Sequence, residues 1–167
     1  PVVRLLSVIF IETVRGVPFQ DGDLTRPNEE WFAGCDAVLD HATSLGLTVG
    51  LGLLWLKNNG GSVGGTLPDD EALVSYSRFV GERYKGRQNV FYWVGGDDDP
   101  QASAPAANTM GQALKAADPG ALITFHTWFA APMATDWPWV GFYAFQWNSN
   151  SSPYPYELVR NTLAYQP

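Results

Sequence analysis

What most constrains this chain is the way strand-sized apolar runs alternate with helical patterns. Five runs read as strands, at residues 2–11, 47–54, 90–94, 121–125 and 140–145. Most lack polar alternation, the mark of strands buried on both faces and therefore parallel. Between them lie helices with readable ends. Asn28 is a plausible N-cap, with Glu29 and Glu30 in the first turn. Trp31, Cys35, Val38, Ala42 and Leu45 then recur at helical spacing, and Gly46 is placed to stop the helix. A second helix begins near Asp69 or Asp70, carries Leu73, Tyr76, Val80 and Tyr84 as its stripe, and ends at Gly86. A third is expected from Pro105 to Ala117, stopped by Asp118-Pro119-Gly120, and a fourth at about residues 156–165.

Strand, loop and helix in repetition predict an α/β protein with a parallel sheet. The strand-to-helix connections are long, at residues 12–27, 55–68 and 97–104, whereas the returns are short, as at Gly46 and residues 87–89. A (β/α) barrel whose working loops all lie at one mouth has this asymmetry. A complete barrel needs about 250 residues, so this chain would hold about five of the eight units. A flavodoxin-like doubly wound sheet also needs five strands and is the competing architecture. The chain opens on an apolar run without an initiator Met or signal-peptide pattern and stops at Pro167 without a helix stop signal. Residues 1–167 are therefore expected to be one partial barrel domain, cut at both ends.

Composition narrows the chemistry. Ten Lys and Arg against 17 Asp and Glu give a net charge of −7, without basic runs. Nucleic acid and anionic membranes are poor partners for such a chain, and no apolar stretch is long enough to span a bilayer. The single cysteine, Cys35, excludes an internal disulfide framework and a Cys-based zinc site. P-loop, dinucleotide and Gly-x-Ser-x-Gly signatures are missing, and neither a cofactor nor a metal is expected.

Strand ends are where reactive groups should lie. The sharpest candidate is Asp97, which follows a buried strand and the glycines Gly95 and Gly96. The glycines permit tight backbone geometry and are expected to leave room for a ligand. Asp98 and Asp99 add negative charge, which would favour a protonated carboxyl able to act as general acid. Those two could equally cap the next turn ahead of Pro100. His126 ends the strand at residues 121–125, where it either bonds a ligand hydroxyl or is satisfied by a neighbouring strand. Glu12, Trp55, Gln146 and Trp128 also lie at or just beyond strand ends. Seven Trp, most of them outside helix stripes, suit a sugar, whose C–H faces stack on rings while its hydroxyls bond amides, imidazole and carboxylates. Trp31 and Trp93 are expected to fill the core instead.

Several of these segments resemble the apiosidase-like glycoside hydrolases (glycoside hydrolase family 140). The resemblance rests on Pro27-Asn28 followed by Trp31-Phe32, on Asp36, and on Ala42 to Gly46-Leu47 with Val49-Gly50-Leu51. It continues through Tyr76, Phe79-Val80-Gly81, Arg83-Tyr84, Asn89-Val90, Tyr92-Trp93-Val94-Gly95-Gly96-Asp97 and Thr124-Phe125-His126, in the family's order along nearly the whole chain. It implies a TIM-barrel glycosidase acting on plant cell-wall and pectic glycans, with these units as strands two to six. It further implies Asp97 as general acid/base at the end of the fourth barrel strand, and a partner carboxylate on a strand beyond Pro167. His126, Trp55, Gln146, Glu12 and Trp128 would bind an oligosaccharide or polysaccharide substrate. Export to the periplasm or medium of a bacterium is the implied location. Gln146-Trp147-Asn148-Ser149 and Thr127 depart from the family's usual residues. A carbohydrate-binding barrel without catalysis, or a barrel glycosidase of another family, are the alternatives.

Overall fold

The computed structural model describes residues 5–9, 17–56, 68–96, 100–127 and 137–145, with the backbone alone at residues 5–9, 100–102, 127, 143 and 145. Five strands form one sheet: β1 (Leu5–Ile9), β2 (Thr48–Trp55), β3 (Val90–Gly95), β4 (Ile123–Thr127) and β5 (Phe142–Phe145). All are parallel, and they lie side by side in chain order. A doubly wound sheet must reverse its strand order at a switch point. No reversal occurs among the described strands, which excludes that alternative. The helix predicted at residues 156–165 lies outside the described residues.

Among the described residues three α-helices connect the strands: α1 (Glu29–Ser44), α2 (Asp70–Arg83) and α3 (Pro100–Ala117). The first two begin at the predicted caps. The Asn28 side chain accepts a hydrogen bond from the Trp31 amide, and Asp69 accepts from Ala72. The α1 terminus is a Schellman turn: Leu47 N–H donates to the Ala42 carbonyl and Gly46 N–H to that of Thr43, with Gly46 at φ +65°. The third helix starts earlier than its sequence predicts. Pro100 rather than Pro105 takes the first turn, where a missing N–H costs nothing. The extra turn buries Ser103 alongside Ala106 and Ala107, and Pro105 is carried inside the helix. The third strand-to-helix connection therefore shrinks to residues 97–99.

Strand parity divides the sheet into two faces. Val49 and Leu51 of β2, Tyr92 and Val94 of β3, and Ile123 and Phe125 of β4 pack in the core with Leu39 of α1, Leu73, Tyr76 and Val80 of α2, and Met110 and Leu114 of α3. Helices α2 and α3 pack extensively on each other. Between β4 and β5 only residues 137–141 are described, and they form a turn without a helix. There Trp139 is buried against Gly111 of α3 and donates Nε1–H to Asn108 Oδ1 at 2.9 Å, while Trp137 stacks on it and meets Phe125. These two indoles therefore pack on the helix side of the sheet. Trp31 is buried in the core, as its position predicts.

Candidate active site

Parallel strands bring all their C-terminal ends to one edge of the sheet. One row of that edge is fully described. Trp55 pairs with Gly95, Gly95 with His126, and His126 with Ala144, so these four residues share one face across β2, β3, β4 and β5. It is the face opposite the helices. One step along the strands toward their N-termini, Gly52, Trp93 and Thr124 form the next row on the same face.

Trp55 owes its place to an irregularity. In a regular strand Gly52 and Trp55, three residues apart, would point to opposite faces. Between the Gly52–Trp93 and Trp55–Gly95 pairs, β2 spends three steps against two on β3. That one-residue bulge restores the parity and turns Trp55 onto the face of Gly52 and Trp93. The Leu53 carbonyl inside the bulge accepts a 2.6 Å hydrogen bond from the Tyr76 hydroxyl of α2. Tyr76 is fully buried, and burial pushes its phenol well above the ordinary value.

The outcome is a cluster of three rings. The Trp55 and His126 rings lie 4.9 Å apart, and Trp93 and His126 lie 5.2 Å apart, stacked at 28°. Trp55 and Trp93 lie 6.4 Å apart, and Phe91 continues the stack behind Trp93 at 6.1 Å. Trp93 is therefore a residue the sequence misplaces: it faces the Trp55 and His126 side and is only partly buried. The signal was available in the glycines at alternate positions on β2. An added Cβ at Gly50 would lie 2.5 Å from Trp93 Nε1 and 2.7 Å from Phe91 Cζ, so the bare strand makes space for both rings.

Gly95 and Gly96 serve the backbone rather than a ligand. Gly95 has φ +106°, and a Cβ there would run into the His126 carbonyl. A Cβ on Gly96 would collide with the Leu56 main chain. The Gly96 amide donates to the His126 carbonyl at 3.1 Å, and the Leu56 amide donates to the Gly95 carbonyl at 3.0 Å. The ends of β2, β3 and β4 are thus laced together by main chain, which corrects the expectation that these glycines hold ligand space. Of the predicted site residues, Trp55 and His126 come together here. Asp97, Glu12, Gln146 and Trp128 lie outside the described residues, as do Asp98 and Asp99. Among the described residues no group of His, Cys, Asp or Glu could hold a metal ion.

Other residues of the resemblance hold this platform from outside. Arg83 of α2 grips Asp36 of α1 through two hydrogen bonds, of 3.1 and 2.8 Å, and reaches Glu29 at 2.7 Å. Its guanidinium lies 5.6 Å from the ring centroids of both Phe32 and Phe79. Asn89 donates to the Leu47 carbonyl, fixing the start of β3 beside that of β2.

The fold is similar to that of glycoside hydrolases of known structure. A glycoside hydrolase matches 98% of this chain at 20% identity with a TM-score of 0.78, and the chain covers 43% of it. A glycoside hydrolase family 5 protein from Bacteroides vulgatus ATCC 8482 matches 98% of the chain at 21% identity with a TM-score of 0.79, and the chain covers 40% of it. A third glycoside hydrolase matches 74% at 15% identity with a TM-score of 0.58. The chain thus spans less than half the length of these structural relatives. No curated protein sequence matches it. Residues 9–167 match the family model of the apiosidase-like catalytic domain, and the chain belongs to that family.

Proposed function

We propose that the protein carrying this chain is a glycoside hydrolase that cleaves O-glycosyl bonds in plant cell-wall and pectic glycans. Residues 1–167 would be part of its catalytic (β/α)8 barrel, five units corresponding to strands two to six. The observation that carries this reading is the gathering of Trp55, Trp93 and His126 toward the edge where β3 ends, two residues before Asp97. Membership in the apiosidase-like family supports the same reading.

In this mechanism the Asp97 carboxyl protonates the glycosidic oxygen as the bond to the anomeric carbon breaks. A carboxylate from a strand after residue 167 attacks that carbon, and Asp97, now ionised, takes a proton from the water that releases the sugar. This retaining course needs the two carboxyl groups about 5–5.5 Å apart, whereas an inverting one needs about 6.5–9.5 Å. Trp55 offers a ring face to the sugar's C–H groups. The His126 imidazole bonds a hydroxyl, and Glu12, Gln146 and Trp128 complete the substrate contacts from the neighbouring loops.

The test is Asp97→Asn in the intact protein, assayed on aryl glycosides and pectic oligosaccharides. Loss of a general acid is expected to lower kcat by about 10²–10⁴-fold. Unchanged turnover would remove Asp97 from the mechanism. Sugar binding without turnover by the unmodified protein would instead mark a carbohydrate-binding barrel.

A further inference from the structure

We propose that Trp93 is a positioning residue that fixes the imidazole of His126, and with it the indole of Trp55, for sugar binding. This rests on the reading that His126 contacts the sugar. Three observations converge on it. The Trp93 and His126 rings are stacked at 5.2 Å and 28°, and the Trp93 and Trp55 rings lie 6.4 Å apart at 32°, so one indole neighbours both partners. Gly50 opens the space the indole occupies, since any Cβ there would lie 2.5 Å from its Nε1 and 3.1 Å from its Cε2. Finally, Trp93 Nε1 is buried with no hydrogen-bond partner among the described residues.

The third observation gives the argument its direction. An unpaired buried N–H is a cost that phenylalanine at this position would avoid. Phenylalanine, however, offers a shorter ring, less able to lie against His126 and Trp55 together. The indole is thus explained by its face and not by its nitrogen. Trp93 sits one row behind His126, away from the strand ends, so its effect on the sugar passes through His126. A ring already held in its binding orientation loses less freedom when the sugar arrives.

The test uses the intact protein and a para-nitrophenyl glycoside that it turns over. Trp93→Leu and Trp93→Phe are made alone and together with His126→Ala. Trp93→Leu is expected to raise KM about tenfold with kcat changed less than about threefold, and Trp93→Phe to recover most of the loss. In the His126→Ala background, Trp93→Leu should add less than about twofold, because residues acting through one another are not additive. The imidazole C–H proton signal that disappears in His126→Ala should shift downfield in Trp93→Leu as the stacked indole is lost, and by less in Trp93→Phe. If Trp93→Leu fails to fold, Trp93→Phe carries the test through its own signal shift and its additivity with His126→Ala. Multiplicative effects of the two substitutions, or an imidazole signal that stays in place, would overturn the positioning role alone. If His126→Ala leaves KM unchanged, the sugar-binding reading of His126 falls and the proposal falls with it.

Discussion

Replacing Tyr76 with phenylalanine takes one oxygen atom from the centre of the molecule and tests how the bulge in β2 is held. The phenol is fully buried on α2, and its hydroxyl donates to the Leu53 carbonyl at 2.6 Å. Leu53 lies between the Gly52–Trp93 and Trp55–Gly95 pairs, where the ladder with β3 is interrupted. The aromatic ring itself would stay, including its edge-to-face contact with Phe19 at 4.9 Å. The substitution therefore removes the hydroxyl's bond to Leu53 while keeping the ring. A carbonyl stranded in the core costs about 1–3 kcal/mol, and we take about 2 kcal/mol as the expected loss. With a urea slope of about 2–3 kcal/mol/M, the unfolding midpoint of the intact protein should fall by roughly 0.7–1 M at unchanged slope. Tyr92→Phe is the paired control. Its hydroxyl is buried on the helix side with no hydrogen-bond partner among the described residues, so its removal should leave the midpoint equal or higher. A Tyr76→Phe loss below about 0.5 kcal/mol, or one matched by Tyr92→Phe, would refute the idea that the hydroxyl secures the bulge.

Gly95→Ala combines a left-handed φ of +106° with a collision against the His126 carbonyl, and should cost about 3 kcal/mol or more, seen as a large fall in melting temperature or loss of soluble protein. Arg83→Lys keeps the charge but loses the two-point grip on Asp36; about 1–2 kcal/mol of destabilisation is expected in urea unfolding, whereas an exposed ion pair would give close to none. Burial raises the phenols of Tyr76, Tyr84 and Tyr92 above their ordinary range and pushes the Cys35 thiol up to about 12. From pH ~9, where the unfolded Cys35 thiol ionises, and further from pH ~10, where the unfolded tyrosines do, the unfolded chain gives up protons that the folded chain keeps, so this stability is complete below pH ~8 and falls as pH rises toward the folded values. Urea midpoints measured from pH 8 to 11 should be flat and then decline, and a rising limb would contradict the sign.

Much of this scaffold was legible because its punctuation is local. Asn28, Asp69 and Gly46 act within a few residues of themselves, so caps and turns can be read without knowing the fold. Pro100 and Pro105 are equally good helix openers, and only burial of Ser103, Ala106 and Ala107 decides between them. The strand ends pointed to Trp55 and His126, but for Trp55 the simple parity of β2 gives the wrong face until the bulge is known. Trp93 was hidden for a related reason. In a strand apolar on both sides, hydrophobicity does not separate the helix layer from the opposite face. The glycines at 50 and 52 carry that information on another strand. Trp137 and Trp139 were unreadable because nothing local says that the turn at residues 137–141 would lay them on α3.

The lacing at Gly95 and Gly96 has an evolutionary consequence. Its two bonds join peptide groups, the Gly96 amide to the His126 carbonyl and the Leu56 amide to the Gly95 carbonyl. No side chain takes part, so a change of side chain at residue 56 or 126 leaves the atoms of both bonds in place. Side chains along this rim can therefore change one at a time, while the seam beneath them yields only to replacement of a glycine.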